Sequence, residues 1–128
     1  IRFGYHNHNF EFTEVEGELI YDYMINNTDP AKVFYQMDVY WVQQGGYNPV
    51  EYINKYPGRF EILHIKDELE IGMSGEVDFE AIYNNAETAG AKYMVVEVER
   101  YTGTPLEGVK ESYDYLNNAA FVKDSYSK

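Results

Sequence analysis

Phe60-Glu61-Ile62-Leu63-His64-Ile65-Lys66-Asp67 is an apolar, strand-like run that ends in a histidine, a lysine and an aspartate. Alternation of side chains along a strand puts Phe60, Ile62, His64 and Lys66 on one face and Leu63 and Ile65 on the other. His64 and Lys66 then stand together at the carboxyl end. A buried parallel strand has no packing reason to carry two polar groups there, whereas a site built on strand ends does. The rest of the chain must supply partners for His64.

Outward from this strand the same kind of element recurs. Ile1 to His8, Val33 to Tyr40 and Tyr93 to Glu99 read as further strands. Glu18 to Asn27, a segment capped by Asn48 and running from Pro49 to about Lys55, Phe79 to Ala89, and Leu106 to Asn117 read as helices. Asp78 can cap the third of these and Gly90 can close it. Strand starts recur at intervals of roughly 30 residues, the length of a βα unit. Strict strand–helix alternation predicts a parallel sheet with helices outside it. An open doubly wound sheet and part of a (β/α)8 barrel both fit. No glycine-rich phosphate loop follows the first strand, which favours the barrel, and residues 1–128 then form one domain, four βα units or half of a (β/α)8 TIM barrel.

With 45% hydrophobic and 17% aromatic residues in 128, the chain has material for one packed core. It has no cysteine, so a metal would need histidine and carboxylate ligands. The formal charge of −12 argues against nucleic acid. No apolar run approaches the roughly 18 residues of a membrane span. Ile1 is already strand-like, with no initiator methionine and no cap, which predicts that the chain continues a structure begun upstream, as a fragment or a processed product. A cytoplasmic location is favoured, with the periplasm open if an upstream signal peptide was removed.

Strand parity groups the polar residues. His6 and His8 share a face opposite Phe3 and Tyr5, Asp38 shares one with Gln36 opposite Tyr35 and Met37, and Glu97 and Glu99 share one opposite Met94, Val96 and Val98. In a barrel that polar face points inward at the top. Glu11 follows in the loop past strand one. Imidazoles and carboxylates converging from neighbouring strands are ligands that a divalent Mn, Mg, Co or Zn ion accepts. The chemistry implied is a metal polarising a sugar carbonyl while carboxylates move protons at the adjacent carbon. Simpler readings apply to some of these groups: Glu99 and Arg100 can pair at the surface, and Lys66 and Asp67 can be a solvated strand end.

Tyr5-His6-Asn7-His8-Asn9-Phe10-Glu11-Phe12, Gln36-Met37-Asp38-Val39-Tyr40-Trp41, Gly58-Arg59 followed by Leu63-His64-Ile65-Lys66-Asp67, and Val95-Val96-Glu97 together resemble the second half of a sugar phosphate isomerase/epimerase of the xylose isomerase-like TIM-barrel superfamily. The resemblance covers about residues 1 to 118. It implies a divalent metal held by two glutamates, an aspartate and a histidine from the last four strands. By motif the aspartate is Asp38, the histidine His64 and the final glutamate Glu97. The first glutamate is assigned to Glu11, with His6 and His8 as alternatives, because many relatives carry it directly on the strand where this chain has His6. Glu11 and Glu97 would then be the proton-transfer pair, and His8, Trp41 and Lys66 the contacts to a small sugar substrate.

The expected activity is that of a metal-dependent isomerase, epimerase or lyase acting on a sugar, keto sugar or cyclitol. The alternatives are an inactive structural half and a sugar-binding module. Four units cannot close a barrel, so Phe34, Phe60, Ile62, Tyr93 and Val95 are expected on an open inner face. The expected partner is a second copy of the chain or the missing upstream half.

Overall fold

Four strands, β1 (Phe3–His6), β4 (Val33–Asp38), β5 (Ile62–Lys66) and β6 (Tyr93–Glu97), form a sheet in the order β1-β4-β5-β6, parallel at every pair. A short antiparallel hairpin, β2 (Glu14–Val15) and β3 (Glu18–Leu19), stands apart from it. The helices are α1 (Ile20–Asn26), α2 (Val39–Gln44), α3 (Pro49–Lys55), α4 (Phe79–Asn84), α5 (Ala86–Ala89) and α6 (Pro105–Asn118). These assignments come from a computed structural model that describes residues 1–126. The strands of the sheet follow one another in space as they do in sequence. A doubly wound sheet reverses its order at a switch point, whereas a barrel wall runs on without one. The chain is therefore built as four of the eight units of a TIM barrel, as expected.

One face of the sheet carries the core. Tyr35, Met37, Leu63 and Ile65 are fully buried there against Tyr21, Ile25, Val42, Ile53, Phe79 and Ile82 from the helices. Each large side chain so buried contributes about 1.5–3 kcal/mol. The other face is open: Tyr93 and Val95 keep 63% and 41% of their surface, while Phe34 and Ile62 are half-buried. Gly4 stands beside Phe34 on that face, and a Cβ there would meet the Phe34 ring at 2.4 Å, so glycine leaves the ring its place.

Several boundaries differ from expectation for local reasons. Strand one stops at His6, because Asn7 turns its carboxamide Oδ1 to accept the Asp38 N–H at 3.0 Å. Strand two stops at Asp38, whose Oδ1 accepts the Trp41 N–H at 2.9 Å and caps α2, so Val39 and Tyr40 are helical. The first expected helix begins later, at Ile20, because Glu16 and Gly17, with φ of 54° and 86°, close the hairpin ahead of it. The expected helix from Phe79 to Ala89 divides at Asn85, and the last strand ends at Glu97 rather than Glu99. Asn48 does cap α3, accepting N–H groups of Val50 and Glu51. The last helix gains a reciprocal cap between Thr104 and Glu107.

Phe60 corrects the inner-face expectation. It lies ahead of the strand, donates its N–H to the Ala89 carbonyl at 3.0 Å, and is fully buried with Tyr21 and Tyr35 about its ring. Parity counted from inside the strand does not reach a residue outside the ladder.

Candidate metal centre

The carboxyl ends of β1, β4 and β5 bring three side chains to one point. The register that pairs Asp38 with His64 sets two of them on adjacent strands, and β1 delivers His6 from the other side. His64 Nδ1 lies 2.7 Å from His6 Nε2, and the Asp38 Oδ2 lies 3.1 Å from His6 Nε2 and 3.2 Å from His64 Nδ1. Asp38 is fully buried and His64 nearly so, while His6 keeps partial exposure. Among the described residues, His6, Asp38 and His64 are the group whose ligand atoms gather closely enough to share a metal ion.

The aspartate is held from both sides. Its Oδ1 accepts the Trp41 N–H, and its own N–H donates to Asn7, whose Oδ1 also accepts the Tyr21 hydroxyl at 3.2 Å. Burial pushes the Asp38 carboxyl up, but the hydrogen bonds from His6, His64 and the Trp41 N–H together outweigh it and hold the group below its ordinary value. The result is a carboxylate fixed in orientation under two imidazoles.

Glu97 arrives from β6, in register with Lys66, and stands on the far side of the His64 ring: its Oε2 is 3.2 Å from His64 Nε2 and 3.8 Å from Lys66 Nζ. Its side chain remains open to solvent. Lys66 is buried and donates to Glu99 Oε2 at 2.6 Å, with its ammonium 5.8 Å from the Tyr40 ring. That hydrogen bond holds the Glu99 carboxyl below its usual range, so Glu99 is drawn to Lys66 rather than left to Arg100 alone. Asp67 is buried as well, its oxygens accepting the N–H groups of Glu68, Gly72 and Ser74 to fold the following loop. Neither residue is a solvated strand end.

Glu11 is placed away from this group. It lies in a short 3-10 turn, Phe10–Phe12, with its carboxylate buried, Oε1 accepting the Tyr5 hydroxyl at 2.6 Å and Oε2 the His8 N–H at 2.9 Å. Burial and the carboxylate beside it push the Tyr5 hydroxyl up to about 12, which keeps it a donor at neutral pH. To join a metal, Glu11 would have to leave both partners. His8 lies just past the strand, its ring 5.0 Å from that of His6, stacked on Phe10 at 5.5 Å and tilted against Trp41 at 5.8 Å. His8 and Phe10 are exposed and Trp41 is half-buried, giving an aromatic rim beside the cluster. Sequence reasoning missed Phe10 in this rim and Asn7 as the brace of Asp38. The position of Asn7 between two candidate histidines was the available signal.

The fold recurs in solved structures. One sugar phosphate isomerase/epimerase from Parabacteroides distasonis matches with a TM-score of 0.84 and 43% identity over 94% of this chain and 46% of its own. A second crystal structure of a sugar phosphate isomerase/epimerase from the same organism matches with a TM-score of 0.88 and 41% identity over 96% of this chain and 47% of its own. The chain belongs to the sugar phosphate isomerase/epimerase family. It spans about half the length of these sugar phosphate isomerase/epimerase relatives. No family model and no curated protein sequence matches it.

Proposed function

We propose that the chain carries the metal-binding strands of a sugar isomerase/epimerase site, with a divalent cation held by His6, Asp38 and His64. The observation that carries this reading is the meeting of His6 Nε2, His64 Nδ1 and Asp38 Oδ2 within 3.2 Å of one another. Two imidazole nitrogens and a carboxylate oxygen are donors that a transition-metal ion accepts. Bound there, the ion supplies a Lewis acid for the carbonyl and neighbouring hydroxyl oxygens of a sugar. The protein's own groups do the rest. Glu97, solvent-open beside His64, moves a proton at the carbon next to the carbonyl. Lys66 holds a substrate oxygen, and His8, Phe10 and Trp41 offer aromatic faces to the sugar ring. Glu11 keeps Tyr5 and His8 in place. A panel of keto sugars turned over in deuterium oxide tests the chemistry: solvent deuterium should enter the product at the carbon next to the carbonyl, and a product free of it under reversible conditions would count against this route.

Among the described residues, no strand pairs with the outer edges of β1 and β6, and the sheet has an open face carrying Tyr93 and Val95. Such edges and faces favour pairing. The completing element is a second copy or an upstream half, and covering Tyr93 and Val95 alone is worth about 1.5–3 kcal/mol each at full burial. Light scattering of the 128-residue chain at micromolar concentration, roughly the range in which weak specific interfaces form, should show a dimer or larger species. A clean monomer that unfolds cooperatively would contradict this.

A further inference from the structure

We infer that His6 makes this centre selective for a late first-row divalent ion, cobalt, nickel or zinc, over magnesium. The inference rests on the metal-dependent reading above and names the kind of ion that the site takes. Of the three converging atoms, two are imidazole nitrogens and one is a carboxylate oxygen. Magnesium takes oxygen ligands and gives up its water reluctantly, whereas imidazole suits the later transition metals. The nearest pair in the cluster is the pair of nitrogens, at 2.7 Å, with the ring centroids 4.6 Å apart. The two nitrogens thus meet in hydrogen-bond contact beside the Asp38 oxygen, and would part slightly to hold an ion between the three donors.

The geometry also withholds the oxygen donors that a harder ion would need. Glu11 is buried with both oxygens engaged by Tyr5 and His8. Asp38 presents only Oδ2 to the imidazoles, because Oδ1 accepts the Trp41 N–H. Glu97 stands against Nε2 of His64, whereas His6 and Asp38 stand against Nδ1. His64 and Asp38 are set by paired strands inside the sheet, so His6, partly exposed at the end of the edge strand β1, is the position at which donor chemistry can change with least disturbance.

The test uses the native chain stripped by a chelator and titrated with cobalt(II) in the presence and absence of excess magnesium, read by the visible d–d absorption of the bound cobalt and by calorimetry. The cobalt spectrum should persist in magnesium, and zinc should displace the cobalt stoichiometrically. His6→Glu, which supplies an oxygen donor from the same strand end, should lower the cobalt-to-magnesium affinity ratio by at least about tenfold, the lower end of what altered metal-site partners cost. His6→Gln should lower it too, and circular dichroism of both variants checks that they fold. Magnesium displacing cobalt from the native chain, or folded His6 variants with an unchanged ratio, would overturn the selectivity inference and leave the metal-dependent reading standing. Binding of none of these ions would overturn both.

Discussion

In the complete barrel, Glu97→Gln should leave the fold and most of the metal affinity of the proposed centre intact while turnover of a sugar substrate falls by at least about 100-fold, the scale of a positioned acid–base group. The amide has the size and reach of the carboxylate, and the side chain is solvent-open, so the substitution neither opens a cavity nor strands a buried polar atom. What it removes is the proton-accepting oxygen 3.2 Å from His64 Nε2 and 3.8 Å from Lys66 Nζ. Because the near nitrogen of His64 faces His6 and Asp38, the ligand atoms of the proposed centre are untouched. The readouts are kcat, circular dichroism and cobalt titration of the variant. An unchanged kcat would reduce Glu97 to an ion-pair partner of Lys66.

The alternation of strands and helices was legible because the inner strands β4 and β5 are covered on their core face by helices and read as largely apolar runs. The polar residues of the candidate site were legible for a related reason. Asp38 and Glu97 close their strands and His64 interrupts an apolar run in β5, and nothing in packing alone asks for them there. Parity worked inside the ladder, where it put His6, Asp38 and His64 on one side. It failed for Phe60, which precedes β5, and it could not describe His8, which follows β1.

Other features depended on contacts between residues remote in sequence or on turns too short to show a period. The cap that Asp38 gives α2 turns six residues after β4 into a helix, although Val39 and Tyr40 read as more strand. The turn at Glu16 and Gly17 makes a hairpin of Glu14–Val15 and Glu18–Leu19, where Glu18 reads as the start of a helix. Glu11 is the instructive case. Its motif suggests a metal ligand, but Tyr5 sits on the opposite face of β1 from His6, and the turn after the strand carries Glu11 back to the Tyr5 side. Where the Glu11 carboxylate sits relative to the His6, Asp38 and His64 group is thus decided by the fold of residues 7–12, not by the order of residue types.

His64 is the residue on which the account depends most, since it links Asp38 and His6 on one side of its ring to Glu97 on the other. Removing it takes away one of the three donors of the proposed centre and the ring that stands between Asp38 and Glu97. The surroundings are paired strands and a braced aspartate, so the chain should remain folded. In the proposed centre His64 binds as a neutral imidazole from inside the sheet, and its removal should bring metal content to background after dialysis. The decisive measurement is divalent-metal content by elemental analysis of the dialysed native chain and of His64→Ala, with circular dichroism recorded on both. The account predicts close to one equivalent in the native chain and none in the folded variant; equal metal content in the two would contradict it.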